Sequence, residues 1–289
     1  MATLKQIRRR IESTKSTKKI TRAMKLVAAA KLRRAQENME RAKPYANRIK
    51  DVIYDLAMHT GREEHPLLQV RKEDKALLIV VTSDRGLCGG FNSNINRRAE
   101  KYVNTGEGGH QEVSLALIGK KGRDYFRRRD VDIRKEYMDV LSEPTLERAA
   151  DIGQEIIAEY IDGGLDAAYI VYNEFKSAVS QKVVVEKLLP IDPGDEDPNG
   201  ETDGSEFEYE PSMAAILESV LPLYVNVRLY FAVLESLAAE MGARMTAMEN
   251  ATKNAGDMIR SLTLKFNKAR QAAITTEMLE IVGGAEALK

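Results

Sequence analysis

The last third of the chain constrains the fold more than any other stretch. Between Pro211 and Lys289 one face repeats at alternating spacings of four and three. It runs from Val227, Phe231, Leu234, Ala238 and Met241 through Met245, Met248, Thr252 and Ala255 to Ile259, Leu262, Phe266, Ala269 and Ala273. A repeat of this kind held over about six heptads is the signature of a supercoiled helix seam. The only proline inside the stretch is Pro222, near its start. At about 1.5 Å per residue such a helix is about 115 Å long, several times the diameter of a small domain. A helix of that length needs something to lie against.

The other end of the chain supplies a partner. Ala28, Leu32, Ala35, Met39, Ala42, Ala46, Ile49, Ile53 and Leu56 repeat the same spacing. Upstream, Leu4, Ile7, Ile11, Thr14, Thr17, Ile20, Met24 and Val27 continue it with a shifted phase, which reads as a stutter. Pro44 removes one backbone donor and is expected to bend this helix locally. Two unrelated amphipathic helices in a large bundle are the alternative, and the length of both seams argues against it. If the middle of the chain folds as one domain, the two helices leave it side by side and pair antiparallel.

Charge is segregated although it sums to zero. Residues 1–50 hold 16 Lys and Arg against three Glu, whereas 191–211 holds nine acids and no base. A basic rod of this kind suits an acidic partner. No aromatic residue precedes Tyr45, so the rod lacks the stacking platforms that single-stranded nucleic acid needs, and no nucleic-acid partner is expected. The longest purely apolar run, Ala76 to Val81, is too short to span a bilayer. The N-terminus is basic like an organelle-targeting peptide, but the seam begins at Leu4 and leaves no dispensable leader. Cys88 is the single cysteine and reads as a buried, inert thiol; His59, His65 and His110 show no metal-ligand spacing.

Four segments follow: an N-terminal helix over 1–60, an α/β domain over 75–191, an acidic loop over 192–210 and a C-terminal helix over 211–289. In the α/β domain, Ala76–Val81 is a buried strand that runs into the Gly-rich turn Thr82 to Asn92, and a helix follows from about Ser93 to Val103. That turn matches neither G-x-G-x-x-G nor the P-loop. Gly86, Gly89 and Gly90 are read instead as a tight turn with close helix packing. A strand at Val113–Ile118, a short basic helix over Lys120–Arg129 and an amphipathic helix over Thr145–Ile161 come next. Ala167–Phe175 and Val179–Leu189 read as an antiparallel hairpin with Ser177 near its turn, which makes the sheet mixed. No catalytic set of residues can be assembled from this domain.

Three stretches resemble a known family, the gamma subunit of the F-type ATP synthase. They are Arg10 to Lys31 with its KKITRAMKLVAAAK, the SDRGLCGGFN of the turn ending at Asn92, and Asn267–Met278 with its continuation through Glu280-Ile281-Val282-Gly283-Gly284-Ala285. The resemblance implies a fold: terminal helices paired into a shaft around an inserted Rossmann-like α/β domain. It also implies a bacterial-type subunit without a redox-switch cysteine pair, no bound cofactor and no catalytic residue of its own. The implied role is that of a central shaft between a proton-driven ring of c subunits and the catalytic beta subunits. Implied partners are the alpha, beta, delta and epsilon subunits and the c ring, at the cytoplasmic face of the bacterial inner membrane, with membrane contact only through other subunits.

Carried over by position, Arg270 and Gln271 would catch a loop of beta, with Thr275, Glu277 and Glu280 in the same upper zone. Arg8, Arg9 and Arg10 would meet acidic loops of beta. Met24 and Lys25 would lie close to an acidic beta segment, with Arg244 across the coiled coil. Tyr209 and Glu210 would touch the c ring or epsilon. The last 15 or so residues, past Ala273, are expected to project as a single-helix tip.

Overall fold

The computed structural model describes residues 3–59, 65–192 and 212–286. In chain order the elements are α1 (Leu4–His59), β1 (Lys75–Val81), α2 (Phe91–Thr105), β2 (Glu112–Ile118), α3 (Lys120–Phe126), β3 (Asp132–Tyr137), α4 (Leu146–Ile161), β4 (Ala167–Phe175), β5 (Gln181–Leu189) and α5 (Met213–Glu286). Two compact units result: residues 29–244 form the larger, and residues 1–28 with 245–289 form the end unit. Both long helices continue through their prolines, Pro44 in α1 and Pro222 in α5.

In the larger unit one sheet has the order β3-β2-β1-β4-β5. β1 pairs parallel with β2 and β4, and β2 pairs parallel with β3. β4 and β5 pair antiparallel, closed by reciprocal backbone bonds between Ser177 and Ser180 at 3.0 and 3.2 Å. The sheet is mixed, as the hairpin required. β1 is central and covered on both faces, and so its sequence is a continuous apolar run. Ile53 and Leu56 of α1, Ile152, Ile156 and Tyr160 of α4, and Leu217, Leu221, Val225 and Leu229 of α5 pack on one face. Phe91, Ile95, Ala99 and Tyr102 of α2 and Phe126 of α3 pack on the other. Thr145 caps α4, its hydroxyl accepting from the Arg148 N–H at 3.3 Å.

Three details differ from expectation. β3 was not foreseen, because its sequence DIRKEY is charged at four of six positions; it is an edge strand with an open outer side, where charge blocks unwanted pairing. α3 stops at Phe126 rather than Arg129. An 18-residue window of α5 reaches a mean hydropathy of 1.4, enough by composition for a membrane span, but 44% of it is buried within the protein.

The end unit is an antiparallel helix pair. The Thr14 hydroxyl reaches Sδ of Met258 at 3.8 Å, Thr21 and Thr252 hydroxyls meet at 2.7 Å, and Lys25 Nζ meets the Glu249 carboxylate at 2.6 Å. Numbers rise along one helix as they fall along the other. The stutter is absent. Ile20 and Val27 are each 57% exposed, while Thr21 is buried. The positions of α1 that face α5 are therefore Leu4, Ile7, Ile11, Thr14, the exposed Lys18, Thr21, Lys25 and Ala28, a continuous four-three repeat whose middle is polar, with Met24 half-buried beside it. Lys18 lies across Gly256, where an added β-carbon would come within 3.3 Å of its Nζ. On α5 the half-buried positions end at Ala269, one step before Ala273, and every residue from Arg270 to Gly283 is exposed.

Candidate partner-contact surfaces

The Gly-rich turn after β1 sits at the carboxyl end of the sheet, beside the point where the strand order reverses. A Rossmann-type fold takes its ligand there. Here the turn is closed from within. The Ser83 hydroxyl donates to the Arg85 carbonyl at 2.6 Å, and the Ser83 N–H donates to Oδ1 of Asn92 at 2.9 Å. Thr82 is locked to the next strand: its hydroxyl donates to the Ile118 carbonyl at 2.9 Å and accepts from the Gly122 N–H at 2.8 Å. A β-carbon on Gly119, whose φ is +92°, would lie 2.1 Å from the Thr82 carbonyl oxygen, so only glycine allows this approach.

Of the three glycines singled out in the turn, only Gly89 has a left-handed backbone, at φ 59°. An added β-carbon would stand 3.9 Å from Lys121 at Gly86 and 3.2 Å from the Asn94 side chain at Gly90. The residue that sequence reasoning missed is Leu87, which is left-handed at φ 66° and 65% exposed. Arg244 of α5 reaches the turn, donating to the Gly86 carbonyl at 3.1 Å and the Arg85 carbonyl at 3.5 Å, with the Glu240 carboxylate at 2.7 Å. The side chains of Arg244 and Glu240 are only 12% and 5% exposed. The turn thus offers carbonyl oxygens to a cation, the opposite polarity to a phosphate cradle built from N–H groups. Burial pushes the Glu240 carboxyl up, against the pull of Arg244 beside it. Cys88 is buried under the turn, and burial raises its thiol, which keeps it protonated and unreactive as expected.

The end unit carries most of the other singled-out residues. Arg8, Arg9 and Arg10 are exposed, and Arg8 pairs with Glu12 at 3.5 Å one turn on. Arg270, Gln271, Thr275, Glu277 and Glu280 all lie on the bare segment of α5, where the Thr275 hydroxyl donates to the Gln271 carbonyl at 3.0 Å. Met24 is half-buried, and the residue that meets Lys25 across the pair is Glu249. Arg244, expected opposite Met24, has its donors engaged in the larger unit by Glu240 and the turn. A groove beside the polar layer is lined by Lys18, Arg22, Lys25, Lys253 and Arg260 with two acids, Glu249 and Asp257. Tyr209, Glu210 and the acidic stretch up to them from Pro193 lie outside the described residues.

The family model described as ATP synthase matches residues 3–288. The ATP synthase gamma chain of Geobacter sp. (strain M21) is 47% identical over 291 residues, and that of Anaeromyxobacter sp. (strain Fw109-5) is 49% identical over 294 residues. Both alignments cover 100% of this chain and 100% of the relative. The chain belongs to the ATP synthase gamma chain family. Gamma-chain membership makes it a subunit of a membrane-associated ATPase complex. A chain in the central stalk and c-ring structure of the Tetrahymena thermophila mitochondrial ATP synthase matches it with a TM-score of 0.62 and 26% identity, covering 80% of this chain and 99% of the other. A chain in the Euglena gracilis mitochondrial ATP synthase structure, rotational state 3, shares the fold with a TM-score of 0.71 at 22% identity, covering 99% and 94%.

Proposed function

We propose that this chain is the central rotor shaft of a proton-translocating F-type ATP synthase at the cytoplasmic face of a bacterial inner membrane. Proton flow turns the c ring and the shaft with it. The asymmetric shaft drives the three beta subunits in turn through states that bind, form and release ATP. The chain performs none of that chemistry; it transmits torque between the ring and beta, with alpha, delta and epsilon as further partners. The observation that carries this reading is the antiparallel pairing of the two chain ends, Thr21 on Thr252 and Lys25 on Glu249. A pair of helices packed along a seam resists twist better than one. Its outer surface is charged, so each contact with a surrounding subunit is weak and screened, and the shaft does not lock at one angle.

Within this reading Arg270 and Gln271 engage a loop of beta, supported by Thr275, Glu277 and Glu280. Arg8, Arg9, Arg10 and Lys25 supply positive charge toward acidic segments of beta, and Met24 lies among them. Tyr209 and Glu210 face the c ring or epsilon. The exposed Arg270 and Gln271 hold no buried contact of their own. Replacing both by alanine in a complex reconstituted with alpha and beta should lower turnover at least about tenfold and leave the denaturation midpoint of the free chain nearly unchanged, as for surface substitutions generally. Equal losses of turnover and stability would make them structural residues and remove them from the contact set.

A further inference from the structure

The β4–β5 hairpin is fastened to α5 along a single line that the shaft reading does not use. Arg228, Glu235 and Gly242 follow one another at intervals of seven, so they share one face of α5. At the base of the hairpin, Nε of Arg228 donates to the Glu186 carboxylate of β5 at 3.0 Å. At its tip, the backbone passes so close to Gly242 that an added β-carbon would lie 3.0 Å from the Ala178 carbonyl oxygen. Glu235 stands between these two fastenings. Tyr172 and Glu174 of β4 and Glu186 of β5 lie on one face of the sheet, since Tyr172 opposes Val184 and Ile170 opposes Glu186. Tyr172 is buried; its hydroxyl donates to Glu186 at 3.1 Å and is also within hydrogen-bonding reach of Glu235. β5 is the edge of the sheet, so among the described residues no further strand holds the outer side of the hairpin.

We propose that this line is a proton-dependent latch: with its carboxyl neutral Glu235 ties the hairpin to α5, and with its carboxyl ionised it releases the hairpin tip from the helix. A phenol has one proton to give. While Glu235 is protonated, its O–H donates to the Tyr172 oxygen, the Tyr172 O–H donates to Glu186, and Arg228 completes the pairing of Glu186. Every group in the chain of bonds is then satisfied. When the Glu235 proton leaves to water, two carboxylates compete for the one phenolic proton, and Glu174 brings a third negative charge. Among the described residues facing Glu235 the one cation is Arg228, and Glu186 already engages it. Lys176, paired with Glu174, and Lys182, opposite Glu174 across the strands, are both exposed. Burial favours the neutral Glu235 carboxyl and raises it to about 7, with Glu174 and Glu186 adding to the rise and Tyr172 and Arg228 opposing it. The latch is therefore closed below about 7 and opens as pH rises through that value. It needs no partner subunit, and it stands whether or not the chain is a shaft.

Hydrogen exchange read by mass spectrometry on the full-length free chain tests the latch, with peptides spanning residues 172–184 set against peptides of β1 and β2. Once the intrinsic rise of exchange with pH is removed, the hairpin amides should lose protection at least about tenfold between about pH 6 and about pH 8, while β1 and β2 keep theirs. Glu235→Gln can still donate to Tyr172 but cannot ionise, so its hairpin should stay protected across the range. Glu174→Gln removes a charge that favours the neutral form of Glu235, so the midpoint of the loss should move to lower pH. Hairpin protection that does not change with pH in the unaltered chain overturns the latch outright. An equal loss in β1 and β2 overturns it too, because the whole unit is then opening. So does a loss that persists unchanged in Glu235→Gln; should that variant fail to fold, an unmoved midpoint in Glu174→Gln overturns the latch instead.

Discussion

The larger unit and the end unit are held together in different ways. In the larger unit both faces of a five-stranded sheet are covered, and Leu78, Ile79, Val80, Phe126 and Tyr160 are fully buried. In the end unit the seam residues Ile259, Leu262 and Phe266 are only half covered, and the middle of the seam is a threonine pair rather than a leucine layer. Full burial of a large apolar side chain contributes about 1.5–3 kcal/mol, and a half-covered one contributes correspondingly less. The end unit thus keeps its pairing on thin margins, and in exchange leaves surface on both helices for other chains. The larger unit has no such freedom. The difference teaches that the same kind of substitution should have unlike consequences in the two units.

The sharpest contrast is in truncation of apolar residues. Phe126→Ala should cost about 3–5 kcal/mol, the range for a buried aromatic, because nothing around it can collapse into the space between α2, α3 and the sheet. Leu262→Ala should cost no more than about half of the 2–5 kcal/mol seen for buried leucines, since water already reaches one side of it. Urea denaturation of both variants measures the difference. Equal costs would mean that the seam of the end unit is as well packed as the core, and the comparison would fail.

A second contrast concerns pH. Glu235 of α5 is raised to about 7, chiefly by burial, with a hydrogen bond from Tyr172 opposing and the Glu174 charge adding to the rise. The folded chain therefore holds this proton to higher pH than the unfolded chain, whose carboxyl titrates near about 4.3. Its contribution to stability is complete below that value and is lost as pH rises through about 7. Glu235→Gln should flatten the decline in denaturation midpoint between those two values. An unaltered slope in the variant would assign the decline to other groups.

Most of the architecture could be read from the residues because burial leaves a periodic trace. The buried run Ala76–Val81, the β4–β5 hairpin and, as far as Ala269, the seam of α5 each stand where their pattern put them. Reading failed where polarity concealed the same geometry. Thr21 is buried but looks outward by type, and so the apolar Ile20 and Val27 draw the phase to a side that is exposed. β3 is an edge strand and carries charge instead of alternation. The site was less legible than the fold. Arg270 and Gln271 stand on a segment with no inward face, so no periodicity points to them and only the family resemblance singled them out. Arg244 owes its place to a contact between α5 and a turn some 160 positions earlier, and spacing along the chain does not encode such a contact.

The smallest effect separates the two units most cleanly, because one substitution, threonine to valine, can be made in each. In the end unit the two hydroxyls lie 2.7 Å apart, and both also approach a backbone carbonyl: Thr252 to Met248 at 2.7 Å, Thr21 to Lys18 at 3.2 Å. Each hydroxyl has one proton. The shorter backbone bond belongs to Thr252, so Thr252 donates to Met248 and Thr21 donates across the pair. Thr21→Val then leaves Thr252 satisfied and should change stability by less than about 0.5 kcal/mol, and the double valine variant should be neutral or slightly stabilising. Thr252→Val removes the acceptor, but Thr21 can turn back to the Lys18 carbonyl, so its cost should stay near about 0.5–1 kcal/mol. Thr82→Val in the larger unit has no such escape. It strips the Gly122 N–H of its acceptor and the Ile118 carbonyl of a donor in a fully buried place, for about 1–3 kcal/mol. Denaturation midpoints should therefore fall most for Thr82→Val, less for Thr252→Val and least for Thr21→Val. If Thr21→Val proved as costly as Thr82→Val, the polar layer would be a main support of the helix pair, and the end unit would owe its pairing to that hydrogen bond rather than to its half-covered seam.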